Sequence, residues 1–194
     1  MNAGLAQAFR YNKWANQRTL EACRGLTDHQ LDTSVPGTGR TLRELLIHVV
    51  SSQLTLVFRT KGRQHEGEAS RVNPWPGVDE LMAVAQESSD ELIDIAAAFD
   101  EDVEVGLPWQ GTLYRYPKSF FLAHALEHGT EHRTEIRIGL EIVGAKAPEL
   151  DGWEFAASAG YGKETHPQPT GDAERQGATD DVALVEPPFE QEIR

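Results

Sequence analysis

The stretch between Pro117 and Gly144 constrains the fold of this chain more than any other part of it. No proline interrupts these residues, and they are long enough for about seven helical turns. Proline is favoured at the first position of a helix, where its missing N–H would have no partner, and glycine is a common C-terminal stop. We therefore predict that residues 117–143 form the longest helix of the chain.

Apolar residues recur at helical intervals in three further segments, which are residues 5–23, 42–59 and 78–99. The second segment follows Thr41 and includes Glu44, and these two residues form a capping box because each side chain can satisfy an unpaired amide at the helix start. Strand patterns are few. The four amphipathic segments therefore predict an all-α fold, a four-helix bundle.

Three connections between the predicted helices have patterns of their own. Residues 60–77 are polar and contain three glycines and two prolines, so they predict a long cross-over between the second and third helices. Residues 103–105 and 113–116 alternate in polarity around the turn-forming residues 108–111, which predicts a small hairpin before the fourth helix. One helical turn is predicted at residues 28–31.

The end of the chain differs in composition from the rest. Residues 163–194 contain eight acidic and three basic residues, a net charge of −5, and four prolines. Such a segment buries too little apolar surface to offset the entropy that is lost on ordering. We predict a bundle domain at residues 1–160 and a flexible, acidic, proline-containing tail at residues 161–194.

Charge and cysteine content exclude several kinds of protein. The formal net charge of −13 repels a phosphate backbone, which argues against a nucleic-acid partner. No apolar run reaches the roughly 18–20 residues that cross a bilayer, and the first residues lack the pattern of a signal peptide. We therefore expect a cytoplasmic protein without a membrane partner. Because Cys23 is the single cysteine, a metal ion would have to be bound by histidines and carboxylates.

The predicted fourth helix contains three histidines at intervals of four, His124, His128 and His132. Neighbouring members of this series stack on one helix face and can chelate one ion, whereas the outer two lie about 12 Å apart along the axis. A helical wheel places His128 and His132 on the apolar side and His124 toward an acidic margin. Two imidazoles on a buried face oppose each other's protonation, and a metal ion relieves both. This pair therefore predicts a metal site.

His48 is the best candidate for a third ligand, because it lies in the middle of the predicted second helix. It belongs to a polar stripe formed by Thr41, Glu44, His48, Ser51 and Thr55. From the residues alone, a stripe that faces a metal and a stripe that faces water are equally good interpretations. His29, His65 and His166 fall in predicted loops or in the tail, where an exposed polar residue is the ordinary interpretation.

The fourth helix also matches a peptidase motif. Residues 124–128 and 128–132 both have the H-x-x-E-H signature of inverted zinc peptidases, in which the Glu acts as general base. Such enzymes need a third ligand from a later helical region, and the residues that follow here are mostly turn-rich or tail-like. A zinc peptidase is therefore the least favoured alternative. The chain contains no G-x-S-x-G, P-loop or dinucleotide-binding motif.

Four motifs occur in a specific order and spacing: Tyr11-Asn12-Lys13-Trp14-Ala15-Asn16, Thr41-Leu42 through His48, His128-x-x-x-His132-Arg133, and Pro148-Glu149-Leu150-Asp151-Gly152-Trp153. Together they make residues 5–155 resemble the DinB/YfiT-like superfamily, a group of four-helix-bundle proteins that includes metalloenzymes. The resemblance implies that His48, His128 and His132 bind a divalent metal ion and that the protein forms a homodimer. Arg133-Thr134-Glu135 departs from the Arg-Gly-Gln that follows the last ligand in many relatives.

Relatives with assigned activities are mostly similar to thiol S-transferases that use a low-molecular-weight thiol such as bacillithiol or mycothiol, or to related isomerases. The resemblance therefore implies a metal-dependent transferase or hydrolase with a small-molecule substrate and a low-molecular-weight thiol as cosubstrate. Zinc or nickel is the expected ion, and iron or copper is also compatible with three imidazoles. Three neutral ligands leave the ion its full charge and open positions, which lowers the pKa of a bound thiol or water.

Glu44, Glu131 and Glu135 are the candidate catalytic residues. A ligating histidine usually donates its second N–H to such a carboxylate, which can also act as general base. Two alternatives to an enzyme stay open. The ion could serve only structure or sensing, or the bundle could be an interaction module whose acidic tail is the working part.

Overall fold

The structure is a computed structural model that describes residues 1–63 and 72–162 of the chain. This part is mainly helical. Its helices are α1 (Ala3–Ala22), α2 (Asp28–Leu31), α3 (Leu42–Thr60), α4 (Val78–Ala97), α5 (Lys118–Ile142) and α6 (Gly152–Ser158). The four long helices begin and end within two residues of the predicted bounds, and the single turn of α2 is confirmed.

Four short strands form two separate antiparallel pairs. Strand β1 (Ser34–Val35) pairs with β2 (Arg40–Thr41), and β3 (Glu104–Trp109) pairs with β4 (Thr112–Pro117). The second pair confirms the predicted hairpin. Its turn residues Gln110 and Gly111 have φ angles of 47° and 80°. Positive φ at both central residues matches the twist of two-residue hairpin turns.

The starts of two long helices show how local chemistry sets their bounds. The capping box before α3 is confirmed, because Thr41 Oγ1 accepts from the Glu44 amide at 3.2 Å and Glu44 Oε2 accepts from the Thr41 amide at 2.7 Å. Pro117 directly precedes α5 as its N-cap, one position before the predicted place. After α5 the chain turns at Gly144, whose φ of 72° favours glycine.

The long helices contact one another through two clusters of buried apolar residues. Helix α1 packs against α4 and α5, and α3 packs against the same two helices. The first cluster includes Leu45, Leu46, Leu81, Ile136 and Leu140. The second cluster includes Phe9, Val57, Leu92, Phe121 and Leu122. The contact between α3 and α5 brings together the two helices on which the candidate ligands lie.

Three short elements are absent from the sequence-based prediction. Helix α6 has seven residues, about two turns, which is too short for a helical period to be recognised in the sequence. It begins where the Asp151 carboxylate accepts from the amides of Trp153 and Glu154. Strands β1 and β2 have two residues each, too short for an alternating pattern.

Some predictions concern residues outside the described ranges. Residues 1–162 form one unit, but the acidic tail from residue 163 onward, with His166, lies outside the described part, as do residues 64–71 of the cross-over, with His65. The domain boundary near residue 160 and the flexible tail therefore stay predictions. Within the described ranges, no helix combines the length and the apolar character that a bilayer crossing requires.

Candidate metal centre

The structure brings His48 of α3 together with His128 and His132 of α5. The candidate ligand nitrogens of these three residues all lie within 4.8 Å of one another. The ring centroids are 4.9 Å apart for His48 and His128, 4.5 Å for His48 and His132, and 4.3 Å for His128 and His132. We call these three residues the histidine cluster.

A close approach between α3 and α5 holds the histidine cluster together. A Cβ atom at Gly139 of α5 would lie 2.9 Å from Leu42 Cδ1 at the start of α3 and 2.9 Å from Val35 Cγ2. A larger residue at this position would therefore force the side chain of Leu42 or Val35 to move. His48 lies six residues beyond Leu42 and His132 lies seven residues before Gly139. The two helices run antiparallel here, so the same close contact aligns the histidines.

The three ligands differ in burial. His132 is buried, with 7 % of its surface exposed, whereas His48 and His128 are half-buried. The expectation that His128 projects into the core is therefore only partly right. The buried face of α5 also includes Gly129 and Arg133, which moves its centre away from His128 and leaves that ring at the margin.

His124 lies outside the histidine cluster, as the helical wheel predicts. Its side chain is 39 % exposed, with Nδ1 3.5 Å from a carboxylate oxygen of Glu127. Its ring stacks on Phe120 at a centroid distance of 5.9 Å. His29 is also exposed, in the last turn of α2 rather than in a loop.

The surroundings favour neutral rings at His48 and His128. Burial is the largest cause that lowers the pKa of His48 to about 4, and the charges of Arg40 and His132 add to it while Glu135 opposes. Burial is also the largest cause that lowers the pKa of His128 to about 3, followed by the charges of His132 and His48. Both rings are therefore uncharged at neutral pH, which is the form that binds a metal ion.

Of the three candidate carboxylates, Glu135 is the one that contacts a histidine of the cluster. Its Oε2 lies 2.5 Å from Nδ1 of His132. With its proton on Nδ1, His132 donates to Glu135 and keeps the Nε2 lone pair free for a metal ion. Among the described hydrogen bonds, neither Glu44 nor Glu131 pairs with a histidine: Glu44 accepts from the Thr41 amide, and Glu131 is exposed.

Sequence reasoning missed two residues near the histidine cluster. Arg40, in β2 directly before α3, has a charge that reaches both His48 and His128. Ser52 lies one helical turn after His48, with its Oγ 3.5 Å from His48 Nδ1. Its position four residues after His48 is the signal that could have identified it.

The donor set fits a divalent ion. The Nε2 atoms of His48 and His128 are 3.2 Å apart. Two nitrogens bound to one zinc ion at about 2.0–2.1 Å with tetrahedral angles lie about 3.3–3.4 Å apart. The structure thus places two ligand atoms near the required separation, with His132 beside them. The third ligand beside His128 and His132 is His48, which comes from the earlier helix α3. The peptidase motif instead requires a Glu from a later helical region.

A second polar cluster lies on the other side of α5 and was not foreseen. We call it the amide cluster: it consists of Asn12, Asn16, Gln53 and Arg133, all buried. Arg133 Nη1 donates to Asn12 Oδ1 at 2.6 Å and to Asn16 Oδ1 at 2.7 Å. Gln53 Oε1 accepts from Asn16 Nδ2 at 2.7 Å and from Asn12 Nδ2 at 3.2 Å. The cluster thereby links α1, α3 and α5.

The amide cluster also reaches α4. Gln53 Nε2 donates to Ser88 Oγ at 2.7 Å and to Ser89 Oγ at 3.0 Å. Arg133 is 3 % exposed, and burial lowers its pKa to about 10, so it remains a cation at neutral pH.

The single cysteine, Cys23, lies outside both clusters. Burial raises the pKa of its thiol to about 12, which removes it as a nucleophile.

Comparisons with known proteins agree with the helical architecture. A family model described as "DinB family" matches residues 1–171. The crystal structure of a DinB-like protein from Bacillus cereus ATCC 10987 superposes with a TM-score of 0.57 at 20 % sequence identity, over 75 % of this chain and 95 % of that one. At that identity the likeness concerns the fold. No curated protein matches the sequence.

Proposed function

The chain belongs to the DinB family, and on that premise we propose that it is a metal-dependent enzyme whose centre is the histidine cluster. In this proposal the four long helices form a four-helix bundle, and His48, His128 and His132 hold one divalent ion. Zinc or nickel suits three imidazoles best, and iron or copper is compatible with them. We also propose that the protein forms a homodimer and that it is located in the cytoplasm.

The convergence of three histidine nitrogens from two helices carries this proposal. Two of the rings are half-buried, so the ligand set has an exposed side through which a small molecule can approach. Three protein ligands with open positions are typical of catalytic metal sites, whereas structural zinc sites are usually closed by four protein ligands. The arrangement therefore favours a reactive centre over a purely structural ion.

A divalent ion held by three neutral ligands supplies a strong positive charge that lowers the pKa of a thiol or water at an open position. The protein's own residues prepare the site. Glu135 accepts a hydrogen bond from Nδ1–H of His132 and so fixes the ring orientation. Arg40 adds a positive charge near His48 and His128, which favours anionic groups at the centre.

We assign the reaction class as thiol S-transfer or hydrolysis on a small molecule, with a low-molecular-weight thiol as cosubstrate in the first case. The family resemblance supports S-transfer, and the neutral ligand set suits both reactions equally. Glu135 is the candidate for proton transfer, since it is the carboxylate that contacts a ligand histidine. Glu44 and Glu131 are weaker candidates because they are exposed and lie outside this contact.

Elemental analysis of untagged protein, purified without chelator, tests the metal site. We expect about one divalent ion per chain in the wild type and none in a His48→Ala/His128→Ala double variant. His124→Ala is the matched control, because it removes a histidine of the same helix that lies outside the cluster. Absence of metal from the wild type, even after dialysis against zinc and nickel, would contradict the proposal.

Cobalt substitution then separates the two reaction classes. If a thiol is the cosubstrate, adding a low-molecular-weight thiol to the cobalt-loaded protein should produce the near-ultraviolet charge-transfer absorption of a sulfur ligand. If water is the nucleophile, the thiol leaves the spectrum unchanged and ester or amide substrates are turned over. If the ion serves only structure, we expect neither result, and removal of the metal should unfold the protein.

A further inference from the structure

A cleft separate from the histidine cluster lies between α1, α5 and α6. Its volume is about 440 Å³, within the range of small-molecule sites in proteins. Tyr11 of α1, Thr130 and Arg133 of α5, and Phe155 of α6 contribute to its walls, with Tyr161 after α6. None of the histidine ligands lines it. The cleft and the candidate metal centre therefore occupy different sides of α5.

Arg133 is the single ionised side chain that lines this cleft within the described ranges. Its hydrogen-bond acceptors, Asn12, Asn16 and Thr130, are all neutral. Among the ion pairs of the described residues, none includes Arg133. Burial of a cation without a counterion is costly, and an anion bound beside it removes part of that cost.

We propose that this cleft binds a small organic monocarboxylate, with its carboxylate directed toward the guanidinium of Arg133 and its apolar body against the aromatic walls. One guanidinium supplies one positive charge, which matches a carboxylate better than a doubly charged phosphate. The planar fork of an arginine also suits the two oxygens of a carboxylate.

The walls of the cleft determine the rest of the ligand. Phe155 packs edge-on against Tyr11 at 5.6 Å between ring centroids and against Tyr161 at 6.0 Å. Tyr11 is anchored by its hydroxyl, which donates to the Leu150 carbonyl at 2.5 Å. These rings form a largely apolar surface, so an aryl or alkyl chain should accompany the carboxylate.

Calorimetric titration of the full-length protein with 4-phenylbutyrate and with 4-phenylbutanamide tests the proposal. The two probes have nearly the same shape, and only the first is charged. We expect the carboxylate to bind at least about tenfold more tightly than the amide, the lower end of the range for hydrogen bonds to charged groups. Equal affinities, or no binding of the carboxylate, would overturn the proposal.

Carboxylates also bind metal ions, so the same titration is repeated on the His48→Ala/His128→Ala double variant. The proposal predicts an unchanged affinity for 4-phenylbutyrate in this variant. Loss of binding there would place the carboxylate at the histidine cluster and overturn the proposal. Because the double variant is designed to bind no metal, a failure of the proposed metal centre would not affect this result.

Substitutions locate the bound carboxylate. Arg133→Met should weaken binding of 4-phenylbutyrate by about 10- to 100-fold and leave binding of the amide unchanged. Arg24→Met is the charge-matched control, because Arg24 lies two residues after α1 and already pairs with Glu21 and Asp79. If Arg133→Met does not fold, Phe155→Ala tests the location of the site instead, since it should weaken the binding of both probes. Unchanged affinities in Phe155→Ala would contradict the assignment to this cleft.

Discussion

The histidine cluster and the amide cluster share α5 but satisfy their polar groups in opposite ways. In the amide cluster, the side-chain groups of Gln53 and Asn16 pair with partners from other helices at 2.7–3.2 Å. In the histidine cluster, two Nε2 atoms face each other at 3.2 Å on a half-exposed surface, and Glu135 Oε2 lies 2.5 Å from Nδ1 of His132. Polar groups that satisfy one another fix the packing of helices, whereas lone pairs directed at a common point suit a ligand.

Removal of a histidine ligand should have the largest effect on function and a small effect on folding. His128→Ala should lower zinc affinity by more than the about 10- to 100-fold that follows loss of an outer partner of a ligand. The half-buried ring leaves no large cavity, so the midpoint of urea unfolding of the metal-free protein should stay nearly unchanged. Competition titration with a chromogenic chelator measures the affinity. Equal affinities in His128→Ala and wild type would contradict the role of His128 as a metal ligand.

Replacement of Gln53, the residue at the centre of the amide cluster, should have the opposite effect: a large one on folding and a small one on metal binding. Gln53→Leu removes the acceptor of the Asn12 and Asn16 side-chain N–H groups and the donor to the Ser88 and Ser89 hydroxyls. We expect a loss of about 3 kcal/mol in the free energy of unfolding. Urea unfolding followed by circular dichroism measures it. Gln86→Leu makes the same change at an exposed site of α4 and should stay within about 0.5 kcal/mol of wild type. A similar small change in Gln53→Leu would show that the amide cluster does not stabilise the fold.

Much of the helical architecture could be predicted, because the relevant signals are local. Hydrophobic periodicity located α1, α3 and α4, and the proline-free stretch between Pro117 and Gly144 located α5. The Thr41 hydroxyl with the Glu44 carboxylate marked the start of α3. The spacing of His128 and His132 placed them on one side of α5, since four residues make about one helical turn. His48 needed the family resemblance, because its stripe suited water equally well.

The amide cluster could not be predicted, because burial of a polar residue depends on partners far away in sequence. Gln53 interrupts the apolar pattern of α3, and its partners lie at least 32 residues away along the chain. Arg133 follows a ligand histidine directly, yet it faces a different helix. The choice among Glu44, Glu131 and Glu135 was open for the same reason, since it depends on which way each side chain points.

Loss of the carboxylate beside His132 should weaken the metal centre without removing it. Glu135→Gln replaces a charged acceptor of the Nδ1 proton by a neutral one, and we expect zinc affinity to fall by about 10- to 100-fold. Glu131→Gln removes the same charge at an exposed position of the same helix and should leave the affinity unchanged. Equal losses in the two variants would point to a general charge effect and not to this hydrogen bond.

A methyl group between the two clusters should have the smallest effect. The added Cβ of Gly129→Ala would lie 2.8 Å from Arg133 Nη1 and 2.9 Å from Asn12 Oδ1. Overpacking costs about 1–3 kcal/mol, and the better helix propensity of alanine offsets about 1 kcal/mol. We expect a net loss of about 1 kcal/mol in the free energy of unfolding.

Gly4→Ala is the control for this substitution. Its Cβ would have Asn2 Oδ1 as nearest neighbour at 4.0 Å, so the change should not destabilise the protein. Thermal unfolding of both variants measures the difference. A destabilisation of Gly4→Ala equal to that of Gly129→Ala would contradict an effect that depends on the amide cluster.

X-ray absorption at the zinc K-edge, recorded on wild-type protein loaded with one equivalent of zinc, identifies the ligand atoms of the metal centre. We expect about three imidazole nitrogens at about 2.0–2.1 Å, together with at least one further light atom at an open position. The imidazole scattering should decrease in His128→Ala and persist in His124→Ala. A shell dominated by carboxylate oxygens, or a spectrum that His128→Ala leaves unchanged, would contradict the proposed metal centre.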